Sequence, residues 1–285
     1  MQLDWERINT LITLALEEDI GAGDMTSLAV VPEGTKAGAH IIAKEDCVCA
    51  GLPVAETVFK KLDSTLEFSS LVSEGDYCSK NTILAKLAGD ARAILAGERT
   101  ALNFLQRLCG IATCARKYAL AVKGTNTKIL DTRKTTPGWR NLEKYAVSVG
   151  GATNHRIGLY DKIMIKDNHR ELAGAIGKNG ITRAVKSARE KFPHLEIEVE
   201  ADTLEEVREA VEAGADWILL DNMSNETIAE AVKINRGRAK LEASGGIALE
   251  RIPSIAALGI DFISCGALTH SVKSADISLE IIPLT

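Results

Sequence analysis

The stretch E-I-E-V-E-A-D-T-L-E-E-V-R-E-A-V-E-A-G-A-D-W-I-L-L-D, Glu196 to Asp221, decides the fold. It opens on Glu196-Ile-Glu-Val, an alternating run of strand type. Thr203-Leu-Glu-Glu206 then reads as a capping box. Val207, Ala210 and Val211 follow at helical spacing, and Gly214 ends the helix. Trp217-Ile-Leu-Leu is a second strand run. A strand, a capped helix and a strand in so short a stretch form a βαβ unit, which implies parallel strands.

The unit repeats on both sides. Strand-type runs recur at Lys128-Ile-Leu, Ile163-Met-Ile, Lys240-Leu-Glu-Ala and Asp261-Phe-Ile-Ser. Pro137 suits the first turn of a helix whose apolar face is Leu142, Tyr145, Ala146 and Val149. Six strand–helix units in about 140 residues fit a (β/α) barrel better than an open sheet. The first ~110 residues read as a separate α+β domain. They hold a helix from Trp5 to Glu17, a loop at Asp19–Asp24, strand-like pieces at Ala37–Ala43, Thr65–Leu71 and Thr82–Ala88, and a long helix starting near Ala91.

The bulk properties exclude several classes. The chain has 285 residues, 46% of them hydrophobic, and no apolar run approaches the roughly 20 residues of a membrane span. The first residues, Met1-Gln-Leu-Asp-Trp-Glu-Arg, already carry acids and do not read as a secretory signal, so a cytoplasmic protein is expected. Six cysteines, at 47, 49, 78, 109, 114 and 265, include no C-x-x-C pair and meet no finger-spaced His, so reduced, buried thiols are expected rather than a zinc site. Cys47 and Cys49 would share one face of a strand. A net charge of -5 with 4% aromatics argues against nucleic-acid binding.

Against that acidic balance, residues Asp131 to Arg170 hold eight Lys/Arg and four Asp/Glu. The window is +4 and the remainder -9, which points to an anionic ligand. Barrel chemistry sits at the C-terminal ends of strands. Here those ends are Asp131-Thr-Arg133-Lys134, Lys166-Asp-Asn168-His169, Glu198-Val-Glu200, Asp221-Asn222, Ser244-Gly245-Gly246 and Ser264-Cys265-Gly266-Ala267. The last two suit phosphate, because small residues let backbone N–H groups approach an anion closely. Glu200 and Asp221 could be solvated loop carboxylates, or could hold Mg²⁺ or ribose hydroxyls. Arg133, Lys134, His155 and Arg156 form a cationic lining, Arg forks suiting carboxylates and phosphates. His155 beside Arg156 reads as a donor to an anion. No nucleophile elbow or Cys-His arrangement is present, so the site is electrostatic in character.

These motifs carry a resemblance. Asp131-Thr-Arg-Lys-Thr-Thr-Pro-Gly138, Glu143-Lys-Tyr-Ala-Val, Asn154-His-Arg, Lys166-Asp-Asn-His169, Leu220-Asp-Asn, Glu242-Ala-Ser-Gly-Gly-Ile247 and Gly266-Ala-Leu-Thr-His-Ser271 resemble the quinolinate phosphoribosyltransferase family. So do Glu18-Asp-Ile-Gly-x-Gly-Asp-x-Thr-Ser27 and Glu98-Arg-Thr-Ala-Leu-Asn-Phe-Leu-Gln-Arg107. The resemblance implies an α/β protein with an N-terminal α/β sandwich over residues 1–110, joined by the tail 275–285, and an incomplete (β/α) barrel of parallel strands over 111–274. It implies decarboxylating transfer from phosphoribosyl pyrophosphate to quinolinate, giving nicotinate mononucleotide, pyrophosphate and CO₂ in de novo NAD biosynthesis, with Mg²⁺ as cofactor.

Carried over by position, Thr132, Arg133, Lys134, His155 and Arg156 would hold quinolinate, with Arg99 reaching in from the partner of a homodimer. Lys166 would face the phosphoribosyl pyrophosphate. Glu200 and Asp221 would serve its ribose hydroxyls and the Mg²⁺. Ser244, Gly245, Gly246, Cys265, Gly266 and Ala267 would cradle phosphate. Lys134, Lys166, Glu200 and Asp221 are the expected catalytic set. A hexamer built as three dimers is a further expectation, with no nucleic acid and no membrane involved. Trp139, Ala152, Cys109 and Cys265 stand where the family pattern suggests a smaller apolar residue, Gly, Ser, and Val or Ser.

Three rival readings remain at this point. One is a paralogue using another aromatic acid or accompanying molybdenum transport. Another is an aldolase-type barrel with a Schiff-base lysine at Lys134 or Lys166. The third is a non-catalytic metabolite-binding protein. The complete cationic set and the intact acids favour the quinolinate enzyme.

Overall fold

The computed structural model describes residues 1–173 and 179–283. In chain order the elements are α1 (Trp5–Ile20), α2 (Met25–Val30), β1 (Lys36–Ala43), β2 (Cys47–Val48), α3 (Leu52–Leu62), β3 (Glu67–Ser70), β4 (Tyr77–Cys78), β5 (Ile83–Asp90) and α4 (Ala91–Ala121). Then come β6 (Lys128–Leu130), α5 (Arg140–Val149), β7 (Ile163–Ile165), α6 (Asp167–Leu172), α7 (Gly180–Lys191), β8 (Ile197–Ala201), α8 (Leu204–Glu212) and β9 (Trp217–Asp221). The chain closes with α9 (Asn225–Asn235), β10 (Lys240–Ser244), α10 (Ile252–Ala256), β11 (Phe262–Ser264), α11 (Ala267–His270) and β12 (Ile277–Pro283). Two compact units result. The first takes Met1–Arg116, Thr135–Gly151 and the chain from Leu268; the second takes Lys117–Lys134 and Ala152–Ala267.

The first unit is built on an antiparallel sheet ordered β12-β1-β5-β3. Its central strand β1 turns Ala37, Ala39, Ile41 and Ala43 into the core, the period-2 pattern of a half-buried strand. Helix α4 buries Ile94, Ala101, Leu105, Leu108, Ala112 and Ala115, a stripe spaced at three and four residues. Gly97 on that stripe leaves room for Phe59 and Leu62, whose atoms would stand 3.0 Å from a Cβ there. The Glu74 carboxylate caps the start of α3, accepting from Gly51 N (2.7 Å) and Leu52 N (2.9 Å), and also accepts from Tyr145 Oη (2.7 Å).

One ion pair ties three segments of this unit. Glu143 is fully buried and accepts from Arg107 Nη2 at 2.8 Å. The same carboxylate accepts from Thr136 N (3.1 Å) and Thr136 Oγ1 (2.9 Å). Arg107 also donates to the carbonyls of Thr269 (2.6 Å) and Val272 (3.0 Å). The sequence places Pro137 in the first helical turn; the structure corrects this, because α5 begins only at Arg140. Gly138 adopts φ +82°, a left-handed conformation that no α-helix accommodates, and Trp139 N closes a turn onto Thr136 O.

Two of the unusual residues have local explanations. Trp139 stacks on Phe104, with ring centroids 4.7 Å apart. Cys109 Sγ accepts from Ala50 N (3.3 Å) and contacts Ala50 O (3.4 Å), filling the hydrogen-bonding role of a serine hydroxyl.

The second unit is a six-stranded parallel sheet ordered β6-β11-β10-β9-β8-β7. The first strand lies beside the last, the cyclic order of a barrel, while β6 and β7 do not pair. Ala152–His155 enters that opening: Thr153 N donates to Ile129 O (2.8 Å) and Asp131 N to Thr153 O (3.1 Å). The barrel is therefore incomplete, as the resemblance implies. All six strands fall on the runs read from sequence. In α8, Thr203 Oγ1 accepts from Glu206 N (3.2 Å), the expected cap. Glu206 departs from a reciprocal box, its carboxylate accepting from Asp202 N (2.8 Å) while Arg170 holds the other oxygen at 2.6 Å.

Because Glu143 is wholly buried, losing it leaves the Arg107 charge without its counter-ion and held by the Thr269 and Val272 carbonyls alone. Glu143→Ala is expected to lower the unfolding free energy by about 3–5 kcal/mol, read from the urea midpoint. An unchanged midpoint would show that the three-segment clamp carries no stability.

Candidate active site

In a parallel sheet, paired residues share a face and alternate along each strand. Glu198 pairs with Trp217 and Met164, and Glu200 with Leu219, which pairs with Glu242. This face is the concave one, since residues two strands apart meet on it. Trp217 stacks on Phe262 at 4.4 Å across the intervening β10. The barrel interior therefore carries carboxylates where barrels usually carry branched apolar side chains.

At its centre, His155 Nε2 lies 3.1 Å from Glu198 Oε2 and 3.1 Å from Glu242 Oε2. Lys162 Nζ stands 3.1 Å from the same Glu198 oxygen and 3.2 Å above the Trp217 ring. Ser264 Oγ donates to Glu242 Oε1 at 2.5 Å. All four ionisable side chains are at least nine-tenths buried. Burial pulls the His155 imidazole down, but the two carboxylates more than offset it and raise it to about 9. Burial pushes Glu198 up, yet His155 and Lys162 hold it below the ordinary carboxylate value. Burial and the Glu198 charge push Glu242 up. Burial lowers Lys162 against the attraction of Glu198.

Above this quartet lies a polar rim. Asp131, fully buried at the end of β6, accepts from His155 N (2.8 Å) and from Asn154 Nδ2 (2.7 Å). Lys134 N donates to Thr132 Oγ1 (3.1 Å), which bends the loop that presents Arg133. Arg156 donates to the Lys162 carbonyl at 3.1 Å. Burial and the nearby Arg133 charge lower the Arg156 guanidinium. Arg133 Nε is buried with no hydrogen-bond partner among the described residues. Two guanidiniums held close, one with an unused buried donor, form a receptor for an anion.

Lys166, the residue before α6, is ion-paired with Glu200. Asp221, at the end of β9, accepts from Asn222 Nδ2 (2.6 Å). Its charge helps raise Asp202, behind the larger effects of burial and Glu206.

The Ser244–Gly246 loop has the backbone expected of a close anion approach. Gly245 has φ +98° and Gly246 φ +56°. A Cβ on Gly245 would collide with the Asn222 side-chain amide and backbone N. At the next strand end, the reason given for Cys265 needs correction: its N–H donates to Leu130 O at 2.9 Å as part of the β11–β6 pairing, so it is not available to a phosphate. Gly266 and Ala267 follow it at the β11 end.

The second unit thus brings together every expected site residue but one. Arg99 lies in the first unit, on an exposed part of α4, with its guanidinium 4.0 Å from Glu98. The sequence assigns no role of their own to Glu198, Glu242, Lys162 and Asn222, although Glu198 and Asn222 stand in the strand-end motifs, Glu242 in a family motif and Lys162 in the cationic window. In the sequence Glu198 and Glu242 are polar members of alternating strand runs, the pattern of a solvent-facing half. Asn222 is marked by φ +53°, rare outside glycine.

Barrel geometry, late glycine loops and a cationic rim facing paired acids define an enzyme that handles a polyanionic substrate. The known proteins it is similar to make this specific. The family profile for the quinolinate phosphoribosyl transferase C-terminal domain matches residues 111–280, and that for the N-terminal domain residues 24–109. A probable nicotinate-nucleotide pyrophosphorylase (carboxylating) of Bacillus subtilis is 46% identical over 93% of this chain and 90% of its own. A chloroplastic nicotinate-nucleotide pyrophosphorylase of Oryza sativa is 43% identical over 96% of this chain and 77% of its own. Among solved structures, the nicotinate-nucleotide pyrophosphorylase of Francisella tularensis superposes with TM-score 0.92 at 39% identity, over 99% of this chain and 98% of that one. NadC of Streptococcus pyogenes gives 0.94 at 39% identity over the whole of both chains. The chain belongs to the quinolinate phosphoribosyltransferase family.

Gly245→Ala adds both a clash and about 1–3 kcal/mol of backbone strain at one point of the rim. Its kcat/KM is expected to fall by roughly tenfold or more with the fold intact by circular dichroism. Wild-type kinetics in this variant would remove the loop from the site.

Proposed function

We propose that the barrel rim of the second unit catalyses the decarboxylating transfer of a phosphoribosyl group to quinolinate, yielding nicotinate mononucleotide, pyrophosphate and CO₂. Family membership over nearly the whole chain supports a pentosyltransferase of NAD biosynthesis. The observation that carries the residue assignment is Arg133, whose buried Nε has no hydrogen-bond partner among the described residues while Arg156 stands close by. A dicarboxylate supplies acceptors for both guanidiniums in the forked geometry they favour.

In this reading Thr132, Arg133, Lys134, His155 and Arg156 orient the pyridine dicarboxylate, and Lys166 faces the phosphates of the second substrate. Ser244, Gly245, Gly246, Gly266 and Ala267 surround the ribose phosphate. Positive charge develops on the ribose as pyrophosphate leaves, and Glu200 and Asp221 stabilise it. The pyridine nitrogen attacks the anomeric carbon. The ring becomes cationic and accepts the electron pair released as C2 loses CO₂, so no protein base is needed for that step.

Glu200 and Asp221 are also the residues that would hold Mg²⁺. Hard carboxylate oxygens at adjacent strand ends suit it. When bound, the ion would neutralise charge on the departing pyrophosphate. A homodimer in which Arg99 of one copy completes the other's site belongs to the same reading, as do a hexamer of three such dimers and a cytoplasmic location. Among the described residues no helix is long and apolar enough to cross a membrane.

Arg133→Ala removes one charge-assisted contact to a substrate carboxylate. The expected cost is about 1.5–3 kcal/mol, or roughly 10- to 150-fold in kcat/KM for quinolinate. Near-normal turnover would sink the assignment.

A further inference from the structure

The buried quartet calls for an explanation beyond packing. Burying charges in a barrel interior is costly, and well-packed apolar residues of similar volume are often as stable or better. Yet Glu198 and Glu242 come from strands separated by β9 and converge on one ring nitrogen of His155.

We propose that Glu242, oriented by Ser264 and acting with Glu198, is a positioning residue that clamps the Nε2 edge of His155 and keeps the ring a fixed cation beneath the substrate-carboxylate site. The inference rests on the reading that His155 faces a carboxylate ligand.

The geometry excludes the main alternative roles. His155, Glu198 and Glu242 each offer a ligand atom within 4.8 Å of the others, as a metal site would. But Lys162 already places an ammonium 3.1 Å from the shared Glu198 oxygen, so the cation of this cluster is supplied by the chain. A general-acid role for Glu242 fails because its two oxygens face Ser264 and His155. Around the ring stand, among others, Glu198 from β8, Glu242 from β10 and the edge-on Trp217 ring of β9 at 6.2 Å, while Asp131 accepts from the His155 backbone N–H. Lys162 meets the same Glu198 oxygen at 3.1 Å. Both ionisable neighbours of the ring nitrogen are acids at ion-pair distance, not aligned as hydrogen bonds, and two adjacent carboxylates favour the protonated ring.

The sign of the effect follows. An unclamped imidazolium would lose its proton as pH rises through its ordinary range near 6.5. Clamped by carboxylates, the ring keeps its charge until about pH 9, so the substrate site is equally cationic from pH 6 to 8. Glu242→Gln replaces an acceptor with an amide able to donate to Nε2, which favours the neutral ring.

The test uses full-length protein carrying ¹³C/¹⁵N-labelled histidine, with the His155 signal identified by its loss in His155→Asn. In the wild type the ring should remain cationic at pH 8. In Glu242→Gln its midpoint should fall by at least one pH unit, and in Ser264→Ala it should move the same way by less. Quinolinate KM should stay flat between pH 6 and 8 in the wild type and rise about tenfold in Glu242→Gln, with kcat at pH 6 changed far less than KM at pH 8. An identical ring midpoint in wild type and Glu242→Gln would overturn the clamp. A shifted midpoint with a flat KM would overturn its use in substrate binding. Failure of the wild type to turn over quinolinate would instead overturn the substrate assignment, and the titration alone would then decide the clamp.

Discussion

Four buried ionisable side chains share the interior of the barrel, and they must balance one another there. Each buried charge costs several kcal/mol unless an opposite charge lies in direct contact. His155 and Lys162 meet that demand for Glu198, and His155 with Ser264 meets it for Glu242. The constraint explains why the barrel is left incomplete. Residues 152–155 enter where β6 and β7 fail to pair, and Asp131 fixes the His155 backbone as it does so. A seventh strand in that place would alternate its side chains with the pleat. The irregular segment can deliver one ring to the interior and turn Arg156 outward to the rim.

The interior is layered. Trp217 and Phe262 form an aromatic floor, with Lys162 and Lys240 over the Trp217 ring. The charged quartet lies next to it, and Lys166, Glu200 and Asp221 follow at the strand ends. In the first unit a comparable economy holds the motif loops. The pair Arg107–Glu143 grips Thr136 from one side and the carbonyls of Thr269 and Val272 from the other. Both residues sit in motifs that the sequence offers without saying what they do.

The strands were legible because short apolar runs bounded by helices repeat, and periodicity reports which face is buried. The helix after β6 was misplaced because Pro137 is compatible with a first turn, whereas Gly138 adopts a left-handed conformation and the helix begins only at Arg140. The rim was legible from residue type: Arg133, Lys134 and Arg156 beside paired acids suggest an anion. The interior acids were not, since Glu198 and Glu242 look on paper like the solvent-facing half of an alternating strand. Only closure of the sheet turns that face inward. Cys265 shows the opposite error, a loop glycine motif assigned a donor that strand pairing had already taken.

The most direct test of the account is product stoichiometry. The purified chain is incubated with Mg²⁺, phosphoribosyl pyrophosphate and carboxyl-labelled quinolinate, with nicotinate run in parallel, and labelled CO₂ and mononucleotide are counted. The account predicts equimolar CO₂ and nicotinate mononucleotide from quinolinate and no product from nicotinate. No product from either acid, with the protein folded, would contradict it and make the cationic rim a site for a different anion.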